Sequence, residues 1–270
     1  MSKREKRVAL VTGASKGIGA ALAEYLHKDG FIVYGTSRNP EPVDPYSQKT
    51  PTMLSMDITN PGSVQNAVAQ LLNREGRIDL LVNNAGLHVV GVLETMPLEE
   101  FERCWRTNCL GALLVSRAVV PRMKEQGQGH IINISSVGGA LGLPFQGAYS
   151  ASKFALEGLS ESMRAELRGF GIKVVLIQPG DIRHQDCRSE SPAPAEYVKA
   201  FSTVMKVAWE DEEKGYPPEL LGPLVLKILS KKHPRLRYSF GNVFQRLVPG
   251  AKRLLPWNLY EKALRLYYKF

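Results

Sequence analysis

The residues of this chain best suited to acid–base chemistry are Tyr149 and Lys153, with Ser136 thirteen residues before the tyrosine. Side chains four residues apart share one face of a helix, so the ammonium of Lys153 is expected beside the phenol of Tyr149. A free phenol has a pKa of about 10, and a neighbouring cation lowers that pKa, so that proton exchange with an alcohol oxygen becomes feasible. The pattern therefore predicts Tyr149 as a catalytic acid or base and Ser136 as its partner at the substrate oxygen. Because Tyr-x-x-x-Lys also occurs by chance on surface helices, the prediction depends on the elements around it.

A glycine-rich segment follows the apolar run at residues 8–11 and precedes a helix-like run at residues 20–27. Gly13 permits a tight turn, Gly17 allows the backbone to approach a pyrophosphate, and Gly19 allows the helix to pack closely on the sheet. The start of the helix presents N–H groups and the positive end of the helix dipole to phosphates. Glycines also end strands without any ligand, but this strand–turn–helix position is the one that a dinucleotide site requires.

Further motifs follow the later apolar runs of the chain. They are Asp57, Asn83-Asn84-Ala85-Gly86, Asn108, Ser136 and Pro179-Gly180. Together with the glycine segment and Tyr149-x-x-x-Lys153, these motifs make the chain resemble the short-chain dehydrogenase/reductase family, of the compact NADP-preferring type. The resemblance covers residues 6–180 and is much weaker beyond them.

This resemblance implies a nicotinamide-dependent oxidoreductase. It implies that Lys153 also holds the nicotinamide ribose, that Asp57 faces the adenine amino group, and that Asn108 positions a water connecting Lys153 to solvent. Alternatively, Asn108 is only a polar residue that kinks its helix. The catalytic set is then Ser136, Tyr149, Lys153 and Asn108, with no metal. The coenzyme contacts are expected from Gly13, Ser15, Lys16, Gly17, Ile18, Gly19, Ser37, Arg38, Asp57, Ile58, Asn83, Asn84, Ala85, Gly86, Tyr149, Lys153, Pro179, Gly180 and Ile182.

One position departs from the family pattern. The family usually has a threonine four residues after Gly180, and this chain has His184 there. The contact to the nicotinamide carboxamide is therefore expected either from backbone groups around Ile182 or from His184 itself.

The choice between NAD and NADP is made at the end of the second predicted strand. An acidic residue there would bind a ribose hydroxyl and repel a 2′-phosphate, but this chain has Ser37 and Arg38. Arg38 and Lys16 supply two cations, and Ser37 supplies a hydroxyl donor. The sequence thus predicts NADP(H), the alternative being that Arg38 is only a solvated loop charge.

Short apolar runs alternate with amphipathic stretches along the chain, which is the pattern of an α/β protein. Strands are predicted at residues 7–12, 31–36, 53–56, 80–83, 130–135, 174–178 and 236–240, and helices at 63–72, 99–124 and 147–168. Continuously apolar strands are typical of parallel sheets buried on both faces. We expect a single doubly wound Rossmann-type domain, residues 1–270, with a mostly parallel, about seven-stranded sheet. Residues 181–235 would cover the substrate, and residues 241–270 would form a basic amphipathic tail.

Apolar side chains near the predicted site favour a hydrophobic ketone, aldehyde or alcohol as substrate, steroid-, retinoid- or lipid-like. One group, spaced as on a helix, would either wall the pocket or only pack that helix on the core: Phe201, Val204, Met205, Val207, Ala208 and Trp209. A second group comprises Val89, Val90, Leu141, Leu143 and Phe145. His88 either reaches the substrate or is a plain loop residue, and the sequence favours the plain loop residue.

The net charge of +9 is concentrated at the C-terminal end, because residues 231–270 contain ten Lys or Arg and one acid, Glu261. This tail would pack against its own or a partner subunit, lie on an anionic membrane, or dock an acidic carrier protein. No element that reads nucleic acid is recognised. By resemblance, the chain assembles as a homodimer or homotetramer through helices 99–124 and 147–168.

No apolar run approaches the roughly 20 residues that span a bilayer, and the N-terminus has no signal-peptide core. The three cysteines lack metal-like spacing, and none is predicted to be catalytic. A cytoplasmic protein is expected, with peripheral membrane contact as an alternative for the tail.

The sequence therefore predicts an NADP(H)-dependent oxidoreductase that interconverts a carbonyl and an alcohol on a hydrophobic small molecule. A 3-ketoacyl-carrier-protein reductase is the nearest enzymatic alternative. A non-catalytic NADP(H)-binding sensor is the alternative from a different class.

Overall fold

The structure is a computed structural model that describes residues 6–40, 51–183, 188–252, 254 and 256–270. Within those ranges the strands are β1 Val8–Val11, β2 Ile32–Ser37, β3 Thr52–Ser55, β4 Leu80–Asn83, β5 His88–Val90, β6 Gly129–Ile134, β7 Ile172–Pro179, β8 Arg188–Glu190 and β9 Arg237–Phe240. The α-helices are α1 Gly17–Lys28, α2 Pro61–Glu75, α3 Leu98–Trp105, α4 Ala112–Gln126, α5 Gly147–Leu167, α6 Val198–Glu213, α7 Leu221–Leu229, α8 Val243–Ala251 and α9 Trp257–Tyr268.

Seven of the strands form one parallel sheet in the order β3-β2-β1-β4-β6-β7-β9. The prediction of a doubly wound, mostly parallel, about seven-stranded sheet is confirmed, and each predicted strand is present. The strand order reverses between β1 and β4, so a crevice opens at the carboxyl ends of these strands. Several of the predicted site residues, among them Gly13, Asn84 and Ser136, follow the strands at that edge.

Both faces of the sheet are covered by helices, which explains why the strands are continuously apolar. Successive strand residues point to opposite faces. Leu10 packs in the core beneath α2, α4 and α5, whereas its neighbour Val11 packs in the core beneath α1 and α7. The strands whose carboxyl ends form the crevice are therefore packed on both faces.

A second, two-stranded parallel sheet joins β5 to β8, with His88 opposite Arg188. The sequence patterns did not indicate it, because each strand has only three residues. It ties the segment after β4 to the segment that precedes α6.

The single helix predicted at residues 99–124 is wrong in one respect. Residues 106–111 form a π-helical turn between α3 and α4, and Asn108 lies within it. A Cβ on Gly111 would lie 2.6 Å from Ile58 Cδ1, so this turn packs too closely for a larger residue. Short π-turns inside helices are frequent at functional sites.

The C-terminal tail packs against its own chain as α8 and α9. Asn242 caps α8, since its Oδ1 accepts a hydrogen bond from Gln245 N at 2.9 Å. Helix α9 packs against α6. None of the helices in the described part of the chain is long and apolar enough to cross a bilayer.

Candidate active site

Tyr149 and Lys153 lie one turn apart on α5, as their spacing predicted. Lys153 is only 5% exposed, and its Nζ lies 5.7 Å from the centroid of the Tyr149 ring. The same Nζ donates a hydrogen bond to Ile134 O, at the end of β6, at 2.8 Å. The lysine is thus held between the sheet edge and the phenol, where its charge acts on the ring with little solvent between them.

Ser136 lies at the turn that follows β6. Its Oγ accepts a hydrogen bond from Gly138 N at 3.1 Å, so the hydroxyl proton can be donated elsewhere. A Cβ on Gly138 would lie 3.2 Å from Tyr149 Cε1, so the turn presses against the tyrosine ring. The Oγ of Ser135 lies instead against Gly139, where a Cβ would be 2.5 Å away. Of the two serines, Ser136 is therefore the one whose turn contacts the Tyr149 ring.

His88 belongs to this site, although its sequence position indicated a plain loop residue. Its ring centroid lies 4.3 Å from that of Tyr149 and 5.6 Å from that of Trp209. Its Nε2 is 2.8 Å from Gln146 Oε1. The only sequence signal for this position was that His88 lies just after the Asn83–Gly86 motif.

Asn108 lies behind the cavity wall, and its side chain connects the segment before β5 to α5. Its Oδ1 accepts from Leu87 N at 2.7 Å, and its Nδ2 donates to Leu87 O at 2.8 Å and to Ser152 Oγ at 2.9 Å. The Ser152 hydroxyl donates in turn to Tyr149 O at 2.7 Å. The asparagine side chain thus fixes the start of β5 relative to α5, and a water relay at this position would have to use its backbone.

The glycine segment forms a close-fitting cradle between β1 and α1. Gly13 has a φ of +64°, and a Cβ there would lie 2.8 Å from Ala85 Cα. A Cβ on Gly19 would overlap Gly13 O and the Nδ2 of Asn84. Two loops therefore approach each other to a distance that only glycine permits, and this leaves the N-terminus of α1 directed at the crevice.

Thr12 and Asn84 clamp these two loops together. Thr12 Oγ1 accepts from Asn84 N at 2.9 Å and from Ala85 N at 3.0 Å. The Nδ2 of Asn84 donates to Thr12 O at 3.0 Å and to Gly13 O at 3.1 Å. Asn83 points elsewhere, because its Nδ2 donates to Ser116 Oγ and Asn133 Oδ1 beneath the sheet, so the expectation that Asn83 lines the adenosine side is wrong.

The end of the crevice that is predicted to hold the adenosine carries two exposed cations, Lys16 and Arg38, and Arg38 directly follows Ser37, the last residue of β2. Asp57 lies at the same end, and its Oδ1 accepts from Thr59 N at 2.9 Å and Thr59 Oγ1 at 2.7 Å. The catalytic end is connected to this region through Gly86, where a Cβ would lie 3.7 Å from Lys153 Nζ.

One cavity of about 790 Å³ contains both ends. Three of the candidate residues do not line this cavity: Gly19, Asn83 and Asn108. Its lining includes Gly13, Ser15, Lys16, Gly17, Ile18, Ser37, Arg38, Asp57, Ile58, Asn84, Ala85, Gly86, Ser136, Tyr149, Lys153, Pro179, Gly180 and Ile182. The glycine cradle, the helix N-terminus and the cations fit a dinucleotide that runs from Arg38 to Lys153. His184 lies outside the described residues.

The substrate end has a different wall from the one expected. Ala208 and Trp209 line the cavity, as do Leu141 and Leu143. The other expected residues of α6 pack in the core or beside it, because Phe201 and Met205 belong to an apolar cluster with Val90. Val89 and Val204 are fully buried, and neither Val207 nor Phe145 lines the cavity.

A further part of the cavity wall comes from α8 and α9, which the sequence interpretation placed outside the site. These helices contribute apolar and aromatic side chains to the cavity: Phe244, Val248, Ala251, Tyr260, Ala263, Leu264, Tyr267 and Tyr268. Residues 260, 264 and 268 are spaced by four, so they share one face of α9. This spacing was the available sequence signal.

A group of carboxylates lies where β7 ends, near the substrate side of the cavity. Burial and the nearby carboxylate of Asp211 raise the pKa of Asp181 to about 6, although a hydrogen bond from Gln245 Nε2 opposes this change. Tyr267 Oη donates to Asp211 Oδ2 at 2.6 Å, and burial together with this contact raises the pKa of Tyr267. Gln245 also occupies the space beside Gly180, where a Cβ would overlap its Oε1. No cluster suited to a metal ion is found in the ranges that the structure describes.

The chain is similar in sequence to known proteins of one family. The model of the short chain dehydrogenase family matches residues 7–194. The 3-ketodihydrosphingosine reductase of Bacteroides thetaiotaomicron is 40% identical to this chain and aligns over 98% of both chains. The NADPH-dependent 3-dehydrocapnine reductase of Ornithobacterium rhinotracheale is 29% identical, with 97% of this chain and 96% of that protein aligned.

Solved structures of the same family also superpose on this chain. A short-chain dehydrogenase from Streptomyces avermitilis superposes with a TM-score of 0.84 at 31% identity, covering 98% of this chain and 96% of that one. A metagenomic short-chain oxidoreductase in complex with NADP superposes with a TM-score of 0.68 at 28% identity, covering 87% of this chain and 96% of that one.

Proposed function

The chain belongs to the short-chain dehydrogenase/reductase family, and on that premise we propose that it uses NADPH to reduce the ketone of a long-chain lipid to a secondary alcohol. Membership makes the chain an oxidoreductase of the type that uses a nicotinamide coenzyme. The choice of NADPH, the lipid substrate and the roles of individual residues are the proposal. The observation that carries it is the joining of a coenzyme cradle, a Tyr–Lys–Ser group and an apolar wall in one cavity.

The preference for NADPH is supported by the charges at the adenosine end. Lys16 and Arg38 offer two cations to a 2′-phosphate, and no acidic residue ends β2, whose last residue is Ser37. The 3-dehydrocapnine reductase is named as NADPH-dependent, and the metagenomic oxidoreductase was solved with NADP. Both observations favour the phosphorylated coenzyme.

The bound coenzyme would supply the hydride, and the protein supplies orientation and the proton. Ser136 donates a hydrogen bond to the carbonyl oxygen of the substrate. Tyr149 gives its phenolic proton to the same oxygen as negative charge develops there. The Lys153 ammonium, held by Ile134 O, stabilises the phenolate that remains and lies near enough to Gly86 to bind the ribose beside it.

The lipid substrate is supported by the wall that α8 and α9 add to the cavity. Most of the added side chains are apolar or aromatic, and they face Trp209 of α6 and the Leu141–Leu143 segment. Such a wall favours an alkyl chain over a sugar or another polar metabolite. The two curated relatives carry names of 3-keto and 3-dehydro compounds, which supports a ketone near one end of the substrate. Residues 181–235, which include α6, would then cover the substrate from one side and the tail from the other.

The proposal is tested by NADPH oxidation across a series of 3-keto lipids of increasing chain length, beside acyl-carrier thioesters. We expect turnover of the free lipids, with kcat/KM rising with chain length. Leu264→Gln, in the apolar wall, should raise KM for the longest ketone about tenfold and leave KM for NADPH unchanged. Leu98→Gln, an exposed leucine elsewhere, is the matched control.

Two results would replace the proposal. Turnover of acyl-carrier thioesters alone would identify a 3-ketoacyl-carrier-protein reductase. Tight NADPH binding with no turnover of any substrate would identify a sensor, although the intact Ser136, Tyr149 and Lys153 arrangement favours catalysis.

A further inference from the structure

The two tail helices each have an outward side that does not line the cavity. Outside the cavity, the tail carries apolar side chains whose exposed fractions are large: Val243 70%, Leu247 64%, Leu254 86%, Trp257 64%, Leu259 55% and Leu266 70%. Single exposed apolar residues are ordinary on soluble proteins, but a group of six within one short segment is a mark of an interaction surface. We call this group the tail face.

The helix geometry separates the tail face from the cavity wall. On α9, Tyr260 and Tyr268 are buried and line the cavity, whereas Leu259 and Leu266, seven residues apart, share the opposite side. On α8, Gln245 points inward, and Val243 and Leu247, four residues apart, point outward. Both helices are thus apolar on two sides, and packing within the chain accounts for only one of them.

Basic residues surround the outward leucines of α9. Lys262, Arg265 and Lys269 are all exposed, and Arg265 forms an ion pair with Glu261 at 3.5 Å. Glu261 is the single acid of residues 231–270, against ten Lys or Arg in the sequence. A surface that mixes cations with apolar side chains in this way is complementary to a bilayer that carries anionic headgroups over an apolar interior.

We propose that the tail face docks on an anionic lipid bilayer, with α8 and α9 lying in the plane of its surface. The apolar side chains enter the boundary between headgroups and acyl chains, and the lysines contact the phosphates. A spanning helix is not required, since shallow insertion of one face is sufficient for peripheral binding.

The rim of the cavity is continuous with this surface. Phe244 is 59% exposed and stacks on Tyr267 at a centroid distance of 5.8 Å, and both residues also line the cavity. A docked tail would therefore place the cavity rim against the bilayer, so that an alkyl chain could enter without crossing water. Docking itself does not depend on the proposed reaction; only this last consequence does.

The test is co-sedimentation of the full-length protein with vesicles, without substrate or coenzyme. One set of vesicles is phosphatidylcholine alone, and the other contains phosphatidylglycerol as about one third of the lipid. We expect at least about tenfold tighter binding to the anionic vesicles, and a loss of that advantage as NaCl is raised from about 0.05 M to about 0.5 M.

Variants separate the apolar and electrostatic contributions. Leu259→Ser/Leu266→Ser should weaken binding to anionic vesicles at least about tenfold, and Lys262→Gln/Lys269→Gln should remove most of the preference for anionic lipid. The matched control is Leu98→Ser/Leu220→Ser, which removes two exposed leucines outside the tail and should bind as the wild type does. All six positions are exposed, and an unchanged melting temperature would show that each variant folds.

Three outcomes would overturn the proposal. The first is equal binding of the wild type and Leu259→Ser/Leu266→Ser. The second is a change of subunit number in that variant with vesicle binding retained, which would identify the tail face as a contact between copies. The third is binding to an acidic acyl-carrier protein and to neither kind of vesicle. The variants themselves leave the cavity lining unchanged, because Leu259, Lys262, Leu266 and Lys269 all lie outside it.

Discussion

The ring of Tyr149 is surrounded by groups that limit its position. The Lys153 ammonium lies on one side, the His88 ring packs on it at 4.3 Å, and the Gly138 turn presses on its edge. Such packing limits the orientations open to the ring, and Ser136 lies in the lining of the same cavity. A group that is both oriented and paired with a cation is suited to proton transfer.

Replacing Tyr149 with phenylalanine removes the proton donor and keeps the ring. We expect kcat to fall at least about a thousandfold while the dissociation constant for NADPH changes less than about twofold. Single-turnover NADPH oxidation measures the first quantity, and fluorescence titration of the coenzyme measures the second. Tyr197→Phe, at a partly exposed tyrosine whose hydroxyl donates to Glu94, should leave both unchanged. Near-normal turnover of Tyr149→Phe would mean that another group donates the proton.

Arg38 should decide which coenzyme is used. Arg38→Asp replaces a cation at the adenosine end by an anion, so it should lower the NADPH-to-NADH ratio of kcat/KM at least about tenfold. Steady-state kinetics with both coenzymes measure this ratio. Arg235→Asp, at an exposed position away from the cavity, serves as the charge control. An unchanged ratio would show that the 2′-phosphate does not meet Arg38.

Asp181 should make stability depend on pH. Its pKa is raised from 3.8 to about 6, chiefly by burial, so its ionised form destabilises the fold above about pH 6 and this cost disappears as the pH falls toward 3.8. Asp181→Asn should therefore raise the free energy of unfolding by about 2–3 kcal/mol at pH 8, with the gain vanishing near pH 4. Urea unfolding of the wild type and Asp181→Asn at several pH values measures this difference in the free energy of unfolding. A gain that is the same at pH 4 and pH 8 would contradict the assignment.

At the scale of elements, the π-turn at residues 106–111 separates α3 from α4 and sets the position of Asn108. It places Asn108 so that one amide side chain satisfies both backbone groups of Leu87 and contacts Ser152 on α5. The start of β5, and with it His88, is therefore fixed relative to the helix that carries Tyr149. The turn is a positioning device for the site.

Asn108→Ala should disturb this connection. It leaves the buried N–H and C=O of Leu87 without their partner, so we expect a loss of about 2–4 kcal/mol in the free energy of unfolding and a lower kcat. Denaturant unfolding and steady-state kinetics give the two quantities. Asn73→Ala, an exposed asparagine on α2, should change stability by less than about 0.5 kcal/mol. Unchanged stability in Asn108→Ala would show that the amide contacts contribute little.

At the scale of the whole molecule, one cavity is lined by residues from both halves of the sheet and from the last two helices. At one end of the cavity lie the glycine segment after β1 and the residues that follow β2 and β3. At the other end lie Ser136 after β6, Tyr149 and Lys153 on α5, and the apolar side chains of α8 and α9. The outer surface of the segment from α3 to α5 leaves apolar side chains exposed, with Leu110 at 38% and Phe154 at 42%. We expect this surface to pair between subunits in a homodimer or homotetramer.

Leu110→Glu/Phe154→Glu should lower the subunit number, because two buried charges would oppose that contact. Sedimentation velocity of the wild type and the variant measures the subunit number. Leu220→Glu, at an exposed leucine outside these helices, is the matched control. If the wild type and the variant sediment as the same species, these helices do not form the interface.

Local signals in the sequence determined the sheet, the glycine cradle and the catalytic group. Continuous apolar runs such as Val8–Val11 specify buried parallel strands, and the spacing of Tyr149 and Lys153 specifies a shared helix face, because both depend on neighbours along the chain. The tertiary structure alone decided which residues far apart in sequence meet. It brought Tyr260, Leu264 and Tyr268 into the same cavity as Tyr149, turned the Asn83 side chain away from that cavity and placed the His88 ring beside the Tyr149 ring. Such contacts depend on how helices cross and pack in three dimensions, and no periodicity within one element encodes them.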